Sequence, residues 1–155
     1  MNQPTLAPFA ENIWADPASA DRLRQLGLTT LDAVFAFDAG RPLLKSNLSA
    51  FRSRLRIEQP PHKALYLKRY HRPPLRLQLG GWLRWGRRLS AADLDRVPAE
   101  PLAQAGIQTP KIIAFGSQWG TLFEKRSFLI TEEIAGRSLE KHLPDCLTNL
   151  NPLQN

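Results

Sequence analysis

Apolar residues recur along this chain with two different periods. Asp16-Pro17 has the form of a helix start, an N-cap acid followed by proline at the first helical position. Leu23 and Leu26 supply an apolar edge, and Gly27 supplies a stop. A second short helix is predicted from Thr30, with Leu31, Val34 and Phe35 on one side and an end near Gly40. Before these, Met1 to Asn12 shows no strong period and is expected to be a loose lead-in. The texture then turns strand-like. Leu43-Leu44-Lys45 and Arg54 to Glu58 read as two strands around a polar turn, Leu55 and Ile57 alternating with charged neighbours. After a break at Gln59-Pro60-Pro61-His62, the run Ala64 to Tyr70 is a third strand. Its alternation puts Lys68 with Ala64 and Tyr66 on one face, and Leu65, Leu67 and Arg69 on the other.

Past Arg72-Pro73-Pro74, the segment Leu75 to Leu89 sets Leu75, Leu79, Trp82, Leu83 and Trp85 among arginines. Ser90 caps a weak helix running to Ala105 and stopped by Gly106, with Pro98 and Pro101 as interruptions. Proline costs about 3 kcal/mol in a true helix interior. Lys111 to Phe115 and Phe128 to Thr131 are two further strands joined by a turn around Gly116 to Gly120. Ser138 to Lys141 opens a short helix closed by Pro144, and Thr148 to Asn155 is a polar tail. No internal repeat is evident.

Charge changes this picture more than length does. The 155 residues, 43% hydrophobic, suffice for one domain with a core, or for part of a larger one. The single cysteine, Cys146, excludes an intramolecular disulfide framework. No apolar run approaches the ~20 residues that span a bilayer, and Met1-Asn2-Gln3-Pro4 lacks the basic and apolar regions of a secretory signal. The expectation is a soluble, cytoplasmic, basic protein. Of the 21 Lys and Arg, thirteen fall between Arg41 and Arg88, where Glu58 is the only acid. Such a block suits an anionic partner (nucleic acid, phosphorylated lipid or nucleotide), or it is a solvated basic face.

Lys68 is the sharpest residue. A strand lysine opposite packed leucines can aim a point charge at nucleotide phosphates, although an edge-strand lysine on a wet face has the same local pattern. Trp82-Leu83-Arg84-Trp85-Gly86-Arg87-Arg88 suits an anionic membrane surface or, less well, single-stranded nucleic acid; alternatively both tryptophans pack inward. His62, His71, His142 and Cys146 lack metal-ligand spacing.

Leu65 to Tyr70, Ala105-Gly106-Ile107-Gln108-Thr109-Pro110, Ala114-Phe115-Gly116 and Ser127 to Glu140, taken in that order, resemble the lipopolysaccharide kinase family of Kdo kinases and WaaP-type heptose kinases. The resemblance runs from about Gly27 to Leu143 and covers the first half of such an enzyme. It implies an α+β fold, the N-terminal lobe of a protein kinase: a five-stranded antiparallel sheet with one intervening helix, and here short N-terminal helices. Residues 1–40 would be a helical extension, 41–143 the lobe, and 144–155 a disordered tail.

The resemblance also implies roles. Lys68 would bind ATP phosphates, Thr131 would stand behind the adenine, and the hinge from Glu132 to Ile134 would offer the Glu132 carbonyl and the Ile134 amide to the base. The acid paired with Lys68 falls on Asp95, with Glu100 as the other candidate. Ser46, Asn47, Ser49 and Ser53 lie where a phosphate-covering loop belongs, but no glycine is among them. Mg²⁺ is expected only in a complete enzyme, because an acceptor-orienting Asp and the Asn and Asp that hold metal are missing; after Ile134 the only aspartate is Asp145. The family activity is ATP-dependent phosphorylation of a lipid-linked lipopolysaccharide sugar at the cytoplasmic face of the inner membrane. This chain reads as a truncated or split form that does not catalyse it alone. A non-catalytic basic module binding nucleic acid or membrane, and a regulatory pseudokinase lobe, are the rival readings.

Overall fold

The computed structural model describes residues 4–43 and 49–134. One antiparallel sheet organises them. Its strands are β1 (Ala7–Ala10), β2 (Ile13–Ala15), β3 (Arg41–Pro42), β4 (Arg52–Gln59), β5 (His62–His71), β6 (Ile112–Trp119) and β7 (Glu124–Glu132), in the spatial order β1-β2-β6-β7-β5-β4-β3. Helices α1 (Ala20–Gln25), α2 (Leu31–Ala36), α3 (Leu75–Trp85), α4 (Ala91–Arg96) and α5 (Ala99–Gln104) pack around it. No helix among the described residues is long and apolar enough to cross a membrane.

The seven strands correct the expectation of five. The extra pair is β1 and β2, formed by residues expected to be a loose lead-in. They make a tight hairpin turning at Asn12, whose backbone adopts a positive φ of 59°. β2 then pairs with β6, Ala15 opposite Ala114 and Ile13 opposite Gly116. Strands of four and three residues are too short to show a period, and they exist because β6 offers them an edge.

The helix starts follow local chemistry. Asp16 caps a short 3₁₀ turn, Pro17–Ser19, that leads into α1, and Lys111 sits 2.6 Å from its other oxygen. Thr30 caps α2 by accepting the Ala33 amide. Ser90 and Asp93 form a reciprocal capping box on α4. The helix expected from Ser90 to Ala105 is two helices: α4 ends at Arg96, Pro98 caps α5, and Pro101 sits in the first turn of α5, where no amide is required of it. The Leu75 to Leu89 segment resolves into α3, closed by Gly86 in the left-handed conformation.

The sheet buries both faces unequally. On the first face, Leu23, Leu28, Leu31 and Val34 of the N-terminal helical segment meet Leu55, Ile57, Leu65, Leu67, Phe128 and Ile130. Arg69 also points there, its guanidinium held by the Phe35 and Phe37 carbonyls, both at 2.9 Å. On the second face, α4 lays Ala91 and Ala92 against Tyr70, Ile112 and Leu129. Residues 1–40 thus add two strands as well as helices to the sheet. The helix expected at Ser138 to Lys141, and the polar tail, lie outside the described residues.

Gly116 is where the hairpin approaches the sheet most closely. A Cβ there would stand 2.6 Å from the Asn12 carbonyl oxygen and 2.7 Å from the Phe128 ring. Gly116→Ala should therefore lower stability by about 1–3 kcal/mol, the usual cost of overpacking. Urea unfolding measures this directly, and an unchanged midpoint would mean that the hairpin does not press on β6.

Candidate functional site

The second face carries the candidate chemistry. Along β5 the residues on it are Ala64, Tyr66, Lys68 and Tyr70; opposite them on β4 stand Arg56, Arg54 and Arg52, and on β7 Thr131, Leu129 and Ser127. The Lys68 ammonium lies 3.1 Å from Asp95 Oδ2 on α4. The same oxygen accepts the Tyr70 hydroxyl at 2.6 Å. Burial pushes the Asp95 carboxyl up, but the Tyr70 hydrogen bond and the Lys68 charge outweigh it and hold the group below the usual carboxylate range. Burial, with the Asp95 charge, pushes the Tyr70 hydroxyl well above its ordinary value, so it is a fixed donor. Lys68 and Asp95 keep 26% and 24% of their side-chain surface exposed, so a solute can reach the pair.

Asp95 stands there because β7 grips the start of α4. The Ala91 amide donates to Glu124 Oε2 at 2.8 Å, the Ala92 amide to Ser127 Oγ at 3.1 Å, and the Asp93 amide to Ser90 Oγ at 3.1 Å. Three amides that a helix start ordinarily leaves to water are spent on fixed partners. Glu124 is buried, its Oε1 has no hydrogen-bond partner among the described residues, and burial raises its pKa. Gln78 of α3 ties in as well, accepting the Glu124 amide at 2.8 Å and donating to the Pro73 carbonyl at 2.9 Å.

The three arginines of β4 have different occupations. Arg52 lies over the Phe51 and Tyr70 rings. Arg56 makes a fork on Glu133, with both contacts at 3.1 Å, pairs with Glu58, and shares Glu133 with the Tyr66 hydroxyl. These donors hold the Glu133 carboxyl below its ordinary range. Arg54, directly opposite Lys68, forms no ion pair with another described residue. Two cations therefore sit side by side on this face, and among the described residues one of them, Lys68, has a carboxylate partner.

The remaining predicted residues fall as follows. Thr131 is buried on the Lys68 face, next to the sheet's end. The Glu132 amide donates to the Lys111 carbonyl and the Glu133 amide to the Ala64 carbonyl, both at 2.8 Å, so the next amide along the chain is that of Ile134. The Glu132 side chain lies 3.8 Å from Arg22 and 3.9 Å from Lys63. Glu100 belongs to α5, a helix separate from that of Asp95. Ser53 does not serve the phosphate-covering role considered for it: it pairs with Arg69 on the opposite face and accepts its Nε at 3.1 Å. Ser46 and Asn47 lie outside the described residues, as do His142 and Cys146. Among the described residues, no His, Cys, Asp and Glu side chains group as a metal site would require.

No family model and no curated protein matches this chain. A solved structure does, that of WaaP in complex with acyl carrier protein, with a TM-score of 0.53 at 21% identity. The match covers 89% of this chain and 47% of that one. The chain shares its fold with part of that WaaP chain. It spans about half the length of the WaaP chain it matches. In this chain the sheet has seven strands, and the lysine of β5 faces an acid on α4.

Arg54, Tyr70, Glu124 and Ser127 were not singled out from sequence. Arg54 and Tyr70 had a usable signal, since both follow from the period-two alternation that places Lys68. Glu124 and Ser127 had none: they meet α4 across 33 and 35 residues of chain.

The half-buried Asp95 and the buried Glu124 predict opposite pH effects. Asp95, with a depressed folded pKa, contributes stability that is complete above its unfolded value near ~3.9 and is lost as pH falls through the folded one. Glu124, with a raised folded pKa, contributes stability that is present below its unfolded value near ~4.3 and is lost as pH rises through the folded one. Glu124→Gln keeps an acceptor for the Ala91 amide and should flatten that second decline. Urea titrations at a series of pH values test it, and parallel curves for variant and parent would contradict it.

Proposed function

We propose that the second face of this sheet is a nucleotide-phosphate site, and that the chain is the ATP-binding portion of a lipopolysaccharide-kinase-like protein. The observation that carries this is the accessible Lys68–Asp95 pair with Arg54 alongside. A lysine held by a carboxylate is a positioned point charge, and that is what a kinase-type lobe uses against a phosphate. Arg54 is the second cation of the site. Its planar fork suits a phosphate oxygen pair, and binding there would leave the Lys68–Asp95 contact in place.

Thr131, Glu132 and Ile134 extend from the same site along the end of β7, the position an adenine would occupy if the phosphates sit at Lys68 and Arg54. The base would take the Ile134 amide and the Glu132 carbonyl. Phosphoryl transfer demands an acceptor-orienting carboxylate and Mg²⁺ ligands in addition. In this reading the chain positions the nucleotide, and the transfer to a lipid-linked sugar belongs to a complete enzyme acting at the cytoplasmic membrane face.

The test is titration of ATP and ADP by calorimetry. Lys68→Ala should abolish measurable binding. Arg54→Ala should weaken it by roughly tenfold, the scale of one charge-assisted hydrogen bond. Asp95→Ala should weaken binding and also destabilise the fold by about 1–3 kcal/mol, because the Tyr70 hydroxyl is left buried without an acceptor. Glu100→Ala should matter less than Asp95→Ala. An ATP isotherm unchanged by Lys68→Ala would end this assignment.

A further inference from the structure

α3 carries three leucines that the fold does not use. Leu75, Leu79 and Leu83 follow one another at four-residue spacing and so form a stripe along the helix. They are 52%, 45% and 87% exposed. The inner side of α3 is already taken by other residues. Gln78 and Gly81 are buried, Gly81 under the Leu94 side chain, and Trp82 stacks on Phe123 with its ring 5.8 Å away. Rotating α3 to hide the leucines would expose Gln78 and break its bonds to Pro73 and Glu124.

Arginines flank the stripe. Arg76 and Arg84, two turns apart, line a groove of about 390 Å³ between α3 and the Leu94–Pro98 segment, with Trp85 at its end. Arg87 and Arg88 follow the helix and are exposed, Arg88 reaching over the Trp119 ring and onto the Leu122 carbonyl. From Gln59 through Ala92 there is no acidic residue. Of the acids that follow, Asp93 is taken up by the α4 cap, Asp95 by Lys68 and Tyr70, and Glu124 lies under α4.

An apolar stripe calls for an apolar cover, and arginines with no ion pair among the described residues suit a cover that is also anionic. Single-stranded nucleic acid supplies the charge but nothing for the leucines. It would also need ring faces to stack on, and the half-buried Trp82 is occupied by Phe123, Trp119 and Arg88, which leaves Trp85 alone on this helix. A bilayer of anionic lipid supplies hydrocarbon and phosphate at the right separation for a helix lying in its surface. We propose that α3 docks this chain on an anionic membrane, with Leu75, Leu79 and Leu83 entering the acyl boundary and Arg76, Arg84 and Arg87 meeting headgroup phosphates. Trp85, 38% exposed, sits at the interface. Trp82, grouped with it from sequence, anchors the helix to the β6–β7 turn instead. This docking does not depend on the nucleotide reading.

Flotation of the whole chain with vesicles tests it. Vesicles of equal parts phosphatidylcholine and phosphatidylglycerol should carry the protein, and pure phosphatidylcholine should not. Leu79→Gln with Leu83→Gln should cut binding by roughly tenfold or more, as should Arg76→Gln with Arg84→Gln. The substituted side chains are at the surface, so circular dichroism and ATP titration should match the parent. Failure to bind the mixed vesicles overturns the proposal. So does binding that the leucine changes leave intact, which would mark a purely electrostatic surface; an equal response of parent and leucine variant to single-stranded RNA, without vesicle binding, would assign that surface to nucleic acid.

Discussion

A carboxylate can hold a strand lysine in place only if the carboxylate is itself held. Here that requirement is met at the start of α4, where Glu124 and Ser127 of β7 take two amides and fix the helix against the sheet, and Ser90 caps a third from within. Asp95 is one turn further on, so its distance from Lys68 is set by those bonds and by Ala91 and Ala92 packing on Leu129 and Tyr70. Tyr70 closes the arrangement from the strand side. Without the grip on α4, Lys68 would be an ordinary surface lysine.

Glu124 makes this grip conditional. A buried carboxylate with an unpaired oxygen is costly, and the Ala91 amide offsets only part of that cost. Gln78 binds the Glu124 main chain from α3, so the helix that presents the leucine stripe and the helix that presents Asp95 are fastened to the same residue of β7. The Lys68–Asp95 pair and the basic amphipathic helix α3 share one buried anchor.

The unequal faces of the sheet explain why the site stays open. α1 and α2 seal the first face and draw Arg69 and Ser53 to it. The second face is covered by α4 only toward β7 and Tyr70. Toward β4 it keeps a row of arginines, of which Arg52 is spent on aromatic rings and Arg56 on Glu133. Arg54, half-buried beside Lys68, has no ion pair among the described residues.

How much of this was legible follows from how local each feature is. The caps at Asp16, Thr30 and Ser90, and the faces of β4 and β5, depend on neighbours within four residues or on strict alternation. The sequence by itself therefore determined three of the helical starts, at Asp16, Thr30 and Ser90, the side on which Lys68 stands, and the leucines that oppose it. It placed Asp95 near Lys68 only through the order of elements in a family resemblance. Tertiary structure decided the rest. β1 and β2 needed the edge of β6, the supposed single helix became two with Pro98 as the cap of the second and Pro101 in its first turn, and Ser53 went to Arg69 rather than to a phosphate loop. It also separated Trp82, which packs, from Leu75, Leu79 and Leu83, which do not. Those outcomes rest on contacts between residues tens of positions apart, whose energies no local pattern encodes.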